Sequence, residues 1–521
     1  MEILLNTFYR HWYQGIDSYS IGYAFWEEKL LSEKELCVFL KQYIGTSEFV
    51  TILKRLNGSF AAIIKNNNEY YLVADQLGSY PLLYGIKNGE CYISDNASDL
   101  KKYYQKETMN DMAIAEFLSM GYLSDNKTLF DHIKIVEAGS FIILSNTAIQ
   151  KVKYHSHIYP IIRDKSDKEL ITCSVEIIED AFKKILRTIK GKQIVIPLSG
   201  GYDSRLIACL CKKWSVDNVI CYTYGNLDSF EVEVSKKVAR TLGLKWFFVE
   251  YTKEKWLRLC NSSIFKDYQY YAGNLNTVPC IQDFLAIYEL KQKEIIDAEA
   301  VVIPGHSADL LGGSHLSFRT INVPLHQLIY EKYYGLNKLK GKYQRMLQKE
   351  LKDSLHGERN ATYWDLFNDW GIRVRQSHFI VNSVRVYEFF NLNWRLPFWD
   401  NDFSKFWNSI PWEKKVNSCL FHSFLFEEYF EVFGVDFRKP LVLQKKDYKF
   451  YLRKVIPTIL LRYLKYIRNQ YVQIEMKEDS NLFCVLTDFY NLKNQYPSNY
   501  LLGLPQNVNG ALAIEYYNLL K

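Results

Sequence analysis

Short apolar runs broken by turn residues fill the first third of the chain. Gly58-Ser59-Phe60-Ala61-Ala62-Ile63-Ile64 and Tyr70-Tyr71-Leu72-Val73-Ala74-Asp75 read as strands, and Asn66-Asn67-Asn68 between them as a hairpin turn. A Gly/Pro break at Gly78 and Pro81 leads into Leu82-Leu83-Tyr84, and Cys91-Tyr92-Ile93-Ser94 is a further short strand. The expected architecture here is an antiparallel sandwich. From about residue 168 the pattern changes to alternating helix and strand. Leu170 to Ile189 is an amphipathic helix, followed by the strand Ile194-Val195-Ile196 and by Leu206, Ile207 and Leu210 at helical spacing. Asn218 to Gly225 is the next strand. Ser229 to Leu242 is its crossover helix, with Gly243 as C-cap. Trp246 to Val249 and Ala300 to Gly305 are two more strands. This order predicts a parallel α/β sheet with helices over it. Ligands of such sheets sit at the carboxyl ends of the strands, which gathers Ser199–Asp203, Tyr224–Gly225 and Gly305–Asp309 around one crevice. The expected division is residues 1–165 and 166–521, with a basic amphipathic helical stretch from about 448 and a packed terminal helix from Ala511 to Leu520.

The chemistry concentrates in Ser199-Gly200-Gly201-Tyr202-Asp203-Ser204, directly after an apolar strand and at the start of a helix. A strand, a glycine turn and a helix together aim backbone N–H groups at an anion. Gly200 and Gly201 are expected to let the backbone approach phosphate closely, with positive φ at little cost. Asp203 would repel phosphate unless Mg²⁺ stood between them, held by carboxylates and phosphate oxygens. The string is neither a Walker A loop nor a G-x-G-x-x-G turn.

Composition narrows the classes. The chain has 521 residues, 48% of them hydrophobic and 16% aromatic, enough for a sizeable core in two or three domains. A net charge of +7 is too mild to imply nucleic acid. The ten cysteines form no CxxC or Cys/His spacing, so reduced thiols and a cytoplasmic location are expected. No apolar run reaches membrane-span length, so no membrane association is expected. Forty tyrosines are unusual and find no explanation at this level.

The loop resembles the pyrophosphate loop of ATP pyrophosphatases. Leu56-x-Gly58-x-Phe60-Ala61, Ala74-Asp75-x-x-Gly78-x-x-Pro81-Leu82-x-Tyr84 and Glu137-Ala138-Gly139-Ser140 resemble the glutaminase domain of asparagine synthetases. The resemblance implies an N-terminal α+β domain of Ntn type, followed by an α/β ATP-pyrophosphatase domain of the adenine nucleotide α-hydrolase kind with a helical C-terminal region. In that family the glutaminase nucleophile is an N-terminal Cys. This chain starts Met-Glu-Ile and its first cysteine is Cys37, so the domain fold is expected without glutamine hydrolysis. The resemblance also implies ATP and Mg²⁺. It assigns Leu198, Ser199, Gly200, Gly201, Asp203, Ser204, Tyr224, Gly225 and Gly305 to the nucleotide, and Asp203 and Asp309 to the metal. The alternative for Asp309 is a helix N-cap before Leu310 and Leu311, and both could hold. His306 stands where the family carries a Glu that deprotonates the nitrogen nucleophile. The second base position of β-lactam synthetases would fall at Asn393. A histidine near its ordinary pKa can act as general base at neutral pH; the alternative is a residue that binds phosphate or carboxylate, or fills space. Lys446 aligns with the family's catalytic lysine, with Lys445 one residue away. The reading implied is an ATP-dependent amide-forming ligase joining a carboxylate substrate to an amine acceptor, each a small molecule, a peptide or a sugar acid. Asparagine synthesis from ammonia is one alternative, and a nucleotide-binding pseudoenzyme acting as a partner subunit is another. Partner proteins or a homodimer stay open.

Overall fold

The computed structural model describes residues 2–87, 89–104, 107–145, 148–318, 323–355, 361–438 and 507–521. Lys445, Lys446 and the basic stretch from 448 lie outside the described residues.

The first part of the chain builds two sheets. The larger has seven strands, with the hairpin Asn57–Asn66 and Glu69–Ala74 at its centre, flanked by Ser18–Trp26 and Ser140–Leu144. The hairpin closes at Asn67, whose φ of 54° is a left-handed value that asparagine tolerates. The smaller sheet has four strands, Glu2–Leu4, Glu90–Ser94, Leu83–Lys87 and Ile133–Ile135. Ile21, Ala61, Ile63 and Leu72 from the large sheet share a core with Leu82, Tyr84, Cys91 and Ile93 beside the small one. The opposite face of the large sheet carries Ala62, Ile64 and Val73. Leu36, Leu40, Phe49 and Leu53 cover them from the helices Glu33–Tyr43 and Phe49–Arg55. Burial on both faces explains why residues 60–64 form an unbroken apolar run rather than an alternation.

The second part is a five-stranded parallel sheet in the order Lys245–Glu250, Val219–Gly225, Ile194–Pro197, Val301–Val302, Asn393–Trp394. The fifth strand was not expected, because two residues are too short to show a period. The helix Asp167–Ile189 opens with a capping box between Ser166 and Glu169 and buries Ile178, Phe182, Ile185 and Ile189 against the sheet. The helix Phe230–Leu242 is capped by Ser229 and closed by Gly243 at φ 72°, as its sequence predicts.

The two parts share their cores. Tyr23, Phe25 and Leu77 belong to the same cluster as the parallel sheet. The helix Asp111–Met120 packs with Trp364, Tyr330 and Tyr516, the last from the terminal helix Val508–Leu520. The expected boundary at 165/166 therefore separates sheets, while the cores run across it. Among the described residues no helix is long and apolar enough to cross a membrane.

Candidate functional site

Taken in chain order, the five parallel strands lie 3-2-1-4-5, so the winding reverses between Ile194–Pro197 and Val301–Val302. A crevice opens at the carboxyl ends of those two strands. It measures about 970 Å³, and its walls include Ser199, Gly201, Asp203, Ser204 and Tyr224 on one side and Gly305, His306 and Asp309 on the other. Most of the nucleotide and metal residues expected from sequence thus meet at one place. Leu198, Gly200 and Gly225 stand behind the wall. Leu198 is buried, with its N–H donating to the Tyr222 carbonyl at 2.9 Å and its carbonyl accepting from the Thr223 hydroxyl at 2.6 Å.

The glycines act differently from the expectation. Neither Gly200 nor Gly201 has positive φ; of the glycines assigned to the site only Gly225 does, at 115°. Gly200 is required by close packing, since a Cβ there would lie 3.0 Å from the Glu231 Cα. Gly305 is required more strictly. A Cβ there would come within 2.4 Å of the Ser204 backbone nitrogen. The two loops touch backbone to backbone at the N-terminus of the helix Asp203–Lys213. In the loop the Gly201 N–H donates to Ser199 Oγ at 3.1 Å and the Ser199 N–H to Ser204 Oγ at 3.2 Å. From below, the buried Arg205 guanidinium donates to the Gly200 carbonyl at 3.1 Å and to the carbonyls of Val435 at 2.9 Å and Phe437 at 2.7 Å.

Asp203 and Asp309, far apart in the chain, are joined directly. The Asp309 N–H donates to Asp203 Oδ2 at 3.0 Å, and the Ser314 hydroxyl donates to Asp309 Oδ2 at 3.2 Å. The turn that brings Asp309 there is strained. Ser307 has a φ of 77° and its hydroxyl donates to Gln376 Oε1 at 2.5 Å, on the π-helix Gly371–Ile380. Such helical irregularities and left-handed non-glycine residues gather at functional sites. Among the described residues no three His, Cys, Asp or Glu side chains converge as a metal cage. Two carboxylates with room left for phosphate oxygens and water are what Mg²⁺ takes in nucleotide sites, so the residues fit that ion.

His306 lies in the same crevice, with the Ser383 hydroxyl 3.3 Å from its ring nitrogens. Its expected ordinary titration is not what the fold produces. Burial pushes its pKa down to about 4, against the pull of Asp283 and Asp309, so the imidazole is neutral and a weak base at pH 7. Asn393 does not reach the crevice; it sits on the fifth strand, its N–H donating to the Ala300 carbonyl at 3.2 Å. The wall facing His306 is instead Ser383.

Sequence reasoning missed three participants: Arg205, Ser383 and Asp283. Asp283 lines the crevice floor and accepts from the Tyr222 hydroxyl at 2.9 Å and the Tyr387 hydroxyl at 2.5 Å. Tyr222 and Tyr224 fall at i and i+2 of one strand, a same-face pair legible in the sequence. No motif announces Asp283.

Comparison with known proteins places these features in context. Residues 27–155 match the glutamine amidotransferase domain family, and residues 176–460 match the asparagine synthase family. The glutamine-hydrolysing asparagine synthetase 1 of Bacillus subtilis (strain 168) is 25% identical over 197 residues, covering 37% of this chain and 30% of that protein. The match therefore spans under a third of that relative's length. Among solved structures, the allosteric regulatory enzyme of purine biosynthesis is 12% identical with 52% of this chain and 47% of that one covered, at a TM-score of 0.18. The glutamine phosphoribosylpyrophosphate amidotransferase of B. subtilis is 9% identical with 59% and 65% covered, at 0.20. At such scores neither superposition bears on the site.

Proposed function

The chain belongs to the asparagine synthase family, and from that premise we propose that it is an ATP-dependent ligase that adenylates a substrate carboxylate and joins it to an amine, releasing pyrophosphate and AMP. The observation that carries this reading is the linked pair Asp203 and Asp309, beside a serine–glycine loop at a helix N-terminus. The phosphates of ATP meet the loop N–H groups and the hydroxyls of Ser199 and Ser204. Mg²⁺ held by Asp203 and Asp309 would supply positive charge against the departing pyrophosphate. A carboxylate oxygen attacks the α-phosphorus and the bond to the α–β bridging oxygen breaks. The amine nitrogen then attacks the acyl carbon. The bond from that carbon to the AMP oxygen breaks, AMP leaves with the electron pair, and the nitrogen sheds one proton. Holding both reactants in one crevice supplies much of the second step. His306, neutral at pH 7, accepts a hydrogen bond from the attacking nitrogen, and Lys446 is assigned to the charge that develops on the acyl phosphate.

The glutamine amidotransferase-type domain acts in this reading as a scaffold. Cys37 and Cys91 are both buried, and burial pushes the Cys91 thiol up, which disfavours a nucleophilic thiolate. The nitrogen is then a substrate amine rather than glutamine-derived ammonia, and the carboxylate belongs to a specialised substrate, a peptide or a sugar acid.

Pyrophosphate release from MgATP tests this, with aspartate, carboxyl-bearing peptides and uronic acids as candidates and Asp203→Ala as comparison. Carboxylate-dependent release, reduced by about 10²–10³-fold in the variant, is expected. Tight ATP binding without release under any condition would replace this reading with a nucleotide-binding partner subunit.

A further inference from the structure

Asp283 occupies a position where aspartate ordinarily caps a helix. It precedes the helix Phe284–Gln292, yet its side chain makes no capping bond. A cap is worth about 1 kcal/mol, so the side chain has forgone a local stabilisation. It turns instead to the crevice, where Tyr222 and Tyr387 donate to the same oxygen, Oδ2, and the Tyr224 hydroxyl lies beside them. Burial, with Asp283 adding to it, pushes all three phenols well above their ordinary range, so they remain neutral donors. Among the described residues no Lys, Arg or His nitrogen lies within ion-pair reach of this carboxylate. Tyr224 stacks on Tyr251 with ring centroids 4.9 Å apart at 11°, which fixes its ring as part of the crevice wall. A carboxylate set among phenols and aromatic faces, with no cation paired to it among the described residues and open to a cavity, recognises an organic ammonium group.

We infer that Asp283, with Tyr224 beside it, is the seat of the acceptor amine in its ammonium form, next to His306 and Ser383; one proton passes from the ammonium to the neutral His306 before the nitrogen attacks, and the second leaves as the amide forms. This rests on the ligase reading for what the amine does, but not for whether it binds. The acceptor is accordingly a primary alkyl ammonium, as on a lysine side chain, a peptide N-terminus or an amino sugar. An alcohol or a neutral amide would leave the carboxylate without its counter-charge.

Binding of n-butylammonium chloride to the full chain tests the inference without ATP or any carboxylate. The wild type is expected to gain thermal stability in butylammonium over sodium chloride at equal ionic strength, and to gain nothing comparable from n-butanol. Asp283→Asn, which keeps the shape and can still accept from the tyrosines, is expected to bind the probe at least about tenfold more weakly. Tyr224→Leu provides a second variant should Asp283→Asn fail to fold, with the increment reduced. Equal increments in wild type and variants, an equal gain from butanol, or no gain in the wild type would overturn the inference. Because the readout needs no adenylation, a failed pyrophosphate assay and a failed amine site remain separate results.

Discussion

Two carboxylates, the buried Glu388 and the half-buried Asp283, are treated in opposite ways. Glu388, 4% exposed, receives Arg10 Nε at 3.1 Å, the Tyr271 hydroxyl at 2.6 Å and Trp394 Nε1 at 3.0 Å, and pairs with Arg385. Burial alone would push its pKa up, but Arg385 and Arg10 outweigh it and the net shift is down. Arg10 comes from the first part of the chain and also bridges to Asp95 at 3.2 Å, so Glu388 ties the two sheet systems together. Asp283 has phenols and no cation among the described residues. The contrast teaches that the fold neutralises the carboxylate it uses as a fastener and leaves this crevice carboxylate, among the described residues, without a cation. An ion pair closed on all sides has nothing left to offer a ligand.

The widest separation predicted is between activity and stability. Glu388→Ala leaves Arg385 buried without its carboxylate and Arg10 with Asp95 alone, and is expected to cost about 3–5 kcal/mol in urea unfolding. Asp203→Ala, at the crevice, is expected to cost under about 1 kcal/mol in the same measurement, although it removes most pyrophosphate release. Similar stability losses in the two variants would break the distinction. Next comes the backbone contact between the crevice loops. Gly305→Ala drives a Cβ to 2.4 Å from the Ser204 nitrogen and is expected to cost about 1–3 kcal/mol. Gly201→Ala meets only Ser199 Oγ at 3.1 Å and is expected to stay within about 0.5 kcal/mol. Equal costs would mean that the loops do not dock as described.

A further effect is set by pH. Burial holds His157 and His378 down to about 4, whereas the unfolded chain protonates near 6.5. Between those values the unfolded state binds more protons, so stability falls as pH drops from about 6.5 toward 4, and is flat above 7. Glu388 works later. Its lowered pKa contributes stability above the ordinary glutamate value that is lost only as pH falls through the lower, folded one. Urea midpoints measured from pH 7 to 4.5 should therefore decline first through the histidines. The early part of that decline should shrink in His378→Asn, while Glu388→Gln should leave its onset in place.

The strands and helices with several residues of regular pattern were legible. The hairpin turn at Asn67, the Ser229 cap and the Gly243 stop follow from local chemistry that tertiary packing did not override. The fifth strand was not, because Asn393–Trp394 has no period to read. That Asp203 and Asp309 line one crevice was legible from the strand order, since strand ends converge by topology. The reason for Gly200 and Gly305 was not legible, because the neighbours that forbid a side chain, Glu231 and Ser204, come from other turns of the chain. His306 was assigned by position, but its proton affinity depends on burial that no spacing reveals. Asp283 lies among Pro279-Cys280-Ile281-Gln282, and its tyrosines are 61 and 104 residues away in sequence.

Arg205 carries a consequence for anyone who would move this loop. One guanidinium holds the Gly200 carbonyl together with those of Val435 and Phe437, residues 230 and 232 positions downstream. A chimera that imported only residues 198–205 from a relative would set the clamp against carbonyls at 435 and 437 that a different sequence holds in place. The loop and residues 435–437 are a single transplantable part, inherited together or not at all.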